Sequence, residues 1–141
     1  MVMVRERKPD SNKAMAPLPQ PVRVLLAENE RLLRQELRNM VNSSDEFTVV
    51  GEAENGELAS VLAQQLQPDV ILMDRDMPRM NGLDATRWIK TTQPQVIIIG
   101  LSVCPSGAVA REMKAAGASA YLTKELSPGD FSRAIHAALL K

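Results

Sequence analysis

Hydrophobic positions in this chain fall into two textures, short unbroken runs and helically spaced sets, which alternate from Val22 onward. Val22, Val24, Leu25, Leu26 and Ala27 predict a first strand, and Leu33, Leu37, Met40 and Val41 recur at helical spacing between Glu30 and Asn42. Asn42-Ser43-Ser44-Asp45 closes that helix. Phe47 to Ala53 predicts a second strand, followed by Asn55-Gly56 and a helix whose expected inner face is Leu58, Val61, Leu62 and Leu66, stopped by Pro68. The run Val70-Ile71-Leu72-Met73 is unbroken, as suits a strand buried on both faces, and it stops at Asp74. Pro78 and Asn81-Gly82 hold the next residues in a loop. A helix from Leu83 to about Thr92 then carries Trp88 and Ile89, and Val96 to Leu101 forms a fourth strand as apolar as the third.

A fourth helix from about Ala108 to Ala116 is expected to turn Val109, Met113 and Ala116 inward, with Gly117 as its left-handed carboxyl cap. It has few large anchors. Ala120 to Thr123 makes a short fifth strand, Ser127-Pro128 has the form of an N-cap with proline at the first helical position, and Phe131, Ile135, Ala138 and Leu139 line a last helix. Strands alternating with helices in this way imply an α/β fold, a doubly wound parallel sheet with right-handed crossovers and helices on both faces. Residues 1–21, with Pro9, Pro17, Pro19 and Pro21 among polar residues, show no such periodicity and are expected to form a disordered tail ahead of one domain over residues 22–141.

Composition narrows the function. Formal net charge is zero and aromatics make up 3%, so there is neither a basic footprint for phosphate backbones nor a stacking platform for bases, and direct nucleic-acid binding is not expected. No apolar run approaches the length of a membrane span, and the amino terminus lacks the apolar core of a secretory signal. The single Cys104 allows no internal disulfide, in keeping with a cytoplasmic location.

Parallel strands place their carboxyl ends on one edge, where open α/β sheets bind ligands. The first strand delivers Glu28 and Asn29, the third Asp74 and Asp76, the fourth Ser102 and the fifth Lys124. Taken singly, these residues have plain explanations as helix caps, loop hydrogen bonders or surface charge. Taken together, they offer oxygen ligands for a hard cation such as Mg²⁺, a carboxylate nucleophile, and a hydroxyl and an ammonium for phosphoryl oxygens. Arg75 should point away from Asp74 if extended geometry persists.

From about Val22 to Leu140 the chain resembles a receiver domain of two-component response regulators. The residues that carry the likeness are Leu25-Leu26-Ala27-Glu28-Asn29, Ile71-Leu72-Met73-Asp74, Met77-Pro78 with Asn81-Gly82, Ser102, Gly117-Ala118 and Tyr121-Leu122-Thr123-Lys124. The resemblance implies a flavodoxin-like strand order 2-1-3-4-5 and phosphorylation of Asp74 by a sensor histidine kinase. It also implies Mg²⁺ held by Glu28, Asn29, Asp74 and the Asp76 backbone carbonyl. Ser102 and Lys124 would bind the phosphoryl oxygens. Tyr121 would turn inward with Ser102 to change the face made by helix four, strand five and helix five, where a downstream protein or a second copy would dock.

Three positions depart from that pattern. Asn29 stands where a second acid is usual, so the metal is expected to bind weakly. Val103 follows Ser102 where a small residue is usual and is expected to crowd the phosphoryl group, and Asp76 adds a carboxylate two residues beyond the acceptor. With no DNA-binding module after Lys141, output is expected to pass through a partner protein or a part of the chain absent here. The resemblance implies a phosphoacceptor signalling domain and not an enzyme in the usual sense. Two other readings fit the same residues: a pseudo-receiver binding module with little phosphorylation, or a dehalogenase-like phosphatase using Asp74-Arg75-Asp76, although the usual Gly-Thr after that pair is replaced by Met77-Pro78. His136, on a helix facing away from this edge, has no assigned role.

Overall fold

Burial on both faces defines the centre of the sheet. In the computed structural model, which describes residues 21–103 and 106–140, every residue of β3 (Val70–Asp74) and β4 (Ile97–Ser102) is buried. β1 (Val22–Ala27) flanks β3 on the other side, with β2 (Phe47–Ala53) and the short β5 (Ala120–Thr123) as partly exposed edges. The order is β2-β1-β3-β4-β5, and every neighbouring pair is parallel. The sequence-based strand assignment therefore holds, with β4 shifted by one residue to include Ser102.

Alternation along the strands feeds two cores. Val24, Leu26, Val70, Leu72, Ile99 and Leu101 face α1 (Arg31–Asn42) and α5 (Pro128–Leu139), where Leu37, Val41, Phe131 and Ile135 meet them. Phe47 and Phe131 close this layer with ring centroids 4.8 Å apart. Leu25, Ile71, Met73 and Ile98 face the opposite layer of α2 (Gly56–Leu66), α3 (Gly82–Thr92) and α4 (Gly107–Ala116). Side-chain caps start four of the helices: Asn55, Asn81, Ser106 and Ser127 each accept the backbone N–H of the residue three positions on, and Ser127 with Asp130 completes a capping box. Gly117 ends α4 at φ 121°.

The second helix corrects the sequence reading. Its buried residues are Gly56, Ala59, Ser60 and Ala63, whereas Leu58 and Val61 are 36% and 46% exposed and Leu62 and Leu66 are partly buried. Close approach explains the rotation. A β-carbon at Gly56 would overlap the Met80 carbonyl oxygen, and the buried Gln93 amide donates to the Ala63 carbonyl at 2.9 Å. Only small residues let α2 come this near the β3–α3 loop and α3, so size outranks hydrophobicity on that face. The expected tail lies outside the described residues apart from Pro21, which is exposed.

Candidate functional site

At the carboxyl edge the strands bring together Glu28, Asp74 and Lys124. Both carboxylates are fully buried, and the Lys124 Nζ lies 3.0 Å from Glu28 Oε1 and 3.1 Å from Asp74 Oδ2. Lys124 is the counter-charge to both oxygens, and neither has a further hydrogen-bond partner among the described residues. The other carboxylate oxygens are tied to backbone: Asp76 N–H donates to Asp74 Oδ1 and Glu30 N–H to Glu28 Oε2, each at 3.0 Å. Glu28 thus also serves the first turn of α1, which lacks a side-chain cap from its own N-cap residue, Glu30.

Two carboxylates and one ammonium leave an excess of negative charge in a buried site. Burial pushes the Asp74 pKa from 3.8 up to about 6; the Asp76 N–H bond and the Lys124 charge oppose the rise and Glu28 adds to it. Burial works against the Lys124 ammonium as well, but contacts with Glu28 and Asp74 outweigh it and hold that pKa above the ordinary lysine value.

Register places the remaining predicted residues. Lys124 N–H donates to the Ser102 carbonyl at 3.0 Å, so the buried Ser102 sits beside the lysine at the end of β4. Asn29 is exposed on the β1–α1 turn. The Asp76 side chain is 70% exposed and pairs with Arg75 at 2.8 Å, and Arg75 also reaches Glu112 of α4 at 3.4 Å. The structure thus sends Arg75 away from Asp74, as expected. Val103 is 77% exposed and lines a cleft of about 390 Å³ with Leu33, Met40, Lys124 and Leu126.

Tyr121 pairs in register with Gly100, and a β-carbon on that glycine would lie 2.7 Å from Tyr121 Cδ1 and 2.8 Å from Met113 Cε. The ring therefore leans inward over β4, its hydroxyl buried without a hydrogen-bond partner among the described residues. His136 lies on α5 against Glu46 at 2.8 Å, apart from this site.

The sequence reading singled out Gly82 as a loop residue but not its steric role beside Asp74, and it missed Arg34. Gly82 N–H donates to the Arg75 carbonyl, and a β-carbon at Gly82 would overlap the Asp74 carbonyl oxygen. Arg34 Nη1 donates to the Glu28 carbonyl at 2.8 Å while its Nε donates to Glu52 Oε1 of β2 at 3.1 Å. Both act on main-chain groups, which every residue possesses, so residue type alone carries little signal; Arg34 could have been sought as the cation reaching back from α1 toward Glu28.

With this geometry in hand, the likeness to known proteins is informative. Residues 24–136 match the response regulator receiver domain. The chain is 34% identical over 114 residues to response regulator GacA of Pseudomonas viridiflava, covering 81% of this chain and 53% of that protein. Over 121 residues it is 34% identical to the nitrate/nitrite response regulator protein NarL of Escherichia coli (strain K12), covering 84% and 55%. It therefore spans about half the length of the curated relatives it matches. Among solved structures it is similar to a LuxR-family two-component response regulator from Aurantimonas sp. SI85-9A1, with a TM-score of 0.77, 30% identity, and 84% of each chain covered. It is also similar to the response regulator domain of Thermotoga maritima CheB, with a TM-score of 0.77, 29% identity, and 85% and 97% of the two chains covered. Among the described residues no helix is long and apolar enough to cross a membrane. This chain belongs to the receiver domain family of two-component response regulators.

Proposed function

We propose that the chain accepts a phosphoryl group on Asp74 from a sensor histidine kinase and passes the change to a partner through the face of α4, β5 and α5. The observation that carries this reading is the buried Asp74 carboxylate at the end of β3, its Oδ2 approached by Lys124. In the transfer, Asp74 Oδ2 attacks phosphorus and the donor's leaving group departs. Lys124 turns from the carboxylates to the new phosphoryl oxygens, with the Ser102 hydroxyl as a second donor, so that charge developing on phosphorus meets fixed positive and dipolar groups. Asp74 has no exposed surface, so a donor reaches it only when the groups over it, Lys124 among them, move. Val103 and Asp76, at the rim, would modulate access to the phosphoryl group.

The donor set also suits Mg²⁺. Glu28 Oε1 and Asp74 Oδ2 are buried, have no hydrogen-bond partner besides Lys124 among the described residues and face the same point, and the Asp76 carbonyl and Asn29 amide supply neutral oxygens nearby in sequence. Mg²⁺ keeps several waters and relies on phosphate oxygens, so a few protein oxygens suffice to hold it. Held by these residues, a bound cation would supply charge neutralisation for the phosphoryl oxygens. Asn29 removes one negative charge from that shell. Asn29→Asp should therefore tighten Mg²⁺ binding by about tenfold or more, followed by fluorescence of Trp88 on α3; an unchanged affinity would remove Asn29 from the site.

The test of the main reading is intact mass after incubation with acetyl phosphate, with and without Mg²⁺. One phosphoryl adduct that requires Mg²⁺ and is lost in Asp74→Asn is expected. Equal labelling of that variant would sink the assignment. A folded wild-type chain that takes no label at saturating Mg²⁺ would instead favour a pseudo-receiver, the reading supported by Asn29 and by the complete burial of Asp74.

A further inference from the structure

Glu28 is held at four points. Its N–H donates to the Ala53 carbonyl at 2.9 Å, its carbonyl accepts from Arg34 Nη1 at 2.8 Å, its Oε2 accepts from Glu30 N–H at 3.0 Å, and its Oε1 faces Lys124 at 3.0 Å. Three of these partners are parts of the sheet edge or the turn itself. The fourth, Arg34, reaches back from α1. Its guanidinium spans the Glu28 carbonyl and the Glu52 carboxylate of β2, and Glu52 Oε2 is gripped in turn by Arg38 at 2.8 Å. The Arg34 side chain is 18% exposed against 40% for Arg38, so the inner arginine is the better shielded of the two.

We propose that Arg34 is a positioning residue for the cation and phosphoryl site, fixing the Glu28 peptide so that the Glu28 carboxylate and the Asn29 side chain start from set directions. The inference rests on the site reading above. A planar guanidinium can hold two acceptors in fixed relative geometry, whereas an ammonium on a flexible stem meets one at a time. Holding the carbonyl of Glu28 fixes the plane from which Asn29 departs and, with the Glu30 N–H bond, the direction of the Glu28 carboxylate. Glu52 offsets the Arg34 charge, so the bridge contributes geometry at little electrostatic cost to a neighbouring cation.

The sign of one measurement separates this role from simple electrostatics. Removing a positive charge near a cation site should by Coulomb's law tighten Mg²⁺ binding, whereas loss of positioning should loosen it. Groups that orient ligands without touching the metal typically change affinity by about 10- to 100-fold when removed. Arg34→Ala is therefore expected to weaken Mg²⁺ binding by about tenfold, Arg34→Lys to recover only part of that loss, and Arg38→Ala, which also strips a partner from Glu52 but does not touch Glu28, to leave affinity unchanged. In metal-free protein, amide exchange at Glu30, whose N–H is bound by Glu28 Oε2, should quicken in Arg34→Ala and not in Arg38→Ala.

Tighter or equal Mg²⁺ binding in Arg34→Ala would overturn the proposal, as would full recovery by Arg34→Lys, which would show that a single ammonium contact suffices and that the planar two-acceptor bridge sets nothing. Equal Glu30 exchange in the two alanine variants would reduce Arg34 to one more cross-link between α1 and β2. If wild-type protein binds no Mg²⁺, the site reading fails, and the exchange comparison still decides whether Arg34 sets the Glu28 turn.

Discussion

Gly82→Ala should cost about 3 kcal/mol or more of stability and abolish labelling of Asp74. Gly82 is the first residue of α3, where a glycine would ordinarily be replaceable at little cost, and its backbone φ is not in the left-handed region. The obstacle is steric. A β-carbon there would overlap the Asp74 carbonyl oxygen and lie 2.8 Å from both Asp74 C and Arg75 Cα. These are main-chain atoms at the end of a fully buried strand, so no side chain can swing aside. Either α3 lifts from the sheet, opening the contacts of Ala85 and Ile89, or the end of β3 moves and takes the Asp74 carboxylate away from Lys124. Thermal unfolding with acetyl phosphate labelling measures both outcomes, and the midpoint should fall by roughly 10 °C. Gly107→Ala is the control: among the described residues a β-carbon at that helix start meets only the end of the Arg111 side chain, at 3.4 Å, so the variant should be near neutral. Matching behaviour of the two variants would mean that α3 has freedom the packing does not suggest.

That contrast also marks where the sequence speaks and where it is silent. Val70 to Met73 announces a doubly covered strand because every side chain in it must be apolar, and parallel topology then brings the residues after β1, β3 and β5 to one edge without any knowledge of their partners. Glu28, Asp74 and Lys124 were legible for that reason. The inner face of α2 was not. Large apolar residues suggested Leu58 and Val61, but the packing surface is set by how closely the Met80 loop and α3 approach, and that distance selects Gly56, Ala59 and Ala63. Arg34, and the steric role of Gly82, escaped for a related reason. One binds a carbonyl and the other makes room for one, and main-chain groups leave no mark in residue type. The inward lean of Tyr121 likewise depends on Gly100 across the ladder, a pairing visible only once register is known.

Lys124→Ala should be the most damaging change to a charged residue, costing about 3–5 kcal/mol near neutral pH, because it leaves two buried carboxylates facing one another without a cation. The pH dependence identifies the cause. With Lys124 present the Asp74 pKa is already raised from 3.8 to about 6, chiefly by burial; without the ammonium it rises further. The folded variant then binds a proton over a pH range in which the unfolded chain has released it. Its stability therefore falls as pH rises from 3.8 through 6 and beyond, so the deficit against wild type is largest at neutral pH and shrinks in acid. The lysine works in the opposite sense: its pKa is raised on folding, so its stabilising contribution in the wild type is present below its ordinary value of 10.5 and is lost as pH climbs through the higher folded value. Removing one of the stranded charges should mend the variant, and Asp74→Asn in the Lys124→Ala background is expected to recover most of the loss at pH 7, well beyond its effect in the wild-type background. Chemical unfolding of the four proteins at pH 5 and pH 7 completes the cycle. A deficit independent of pH and untouched by Asp74→Asn would show that Lys124 supports the fold through packing of its stem, and that the two carboxylates are far better solvated than their complete burial implies.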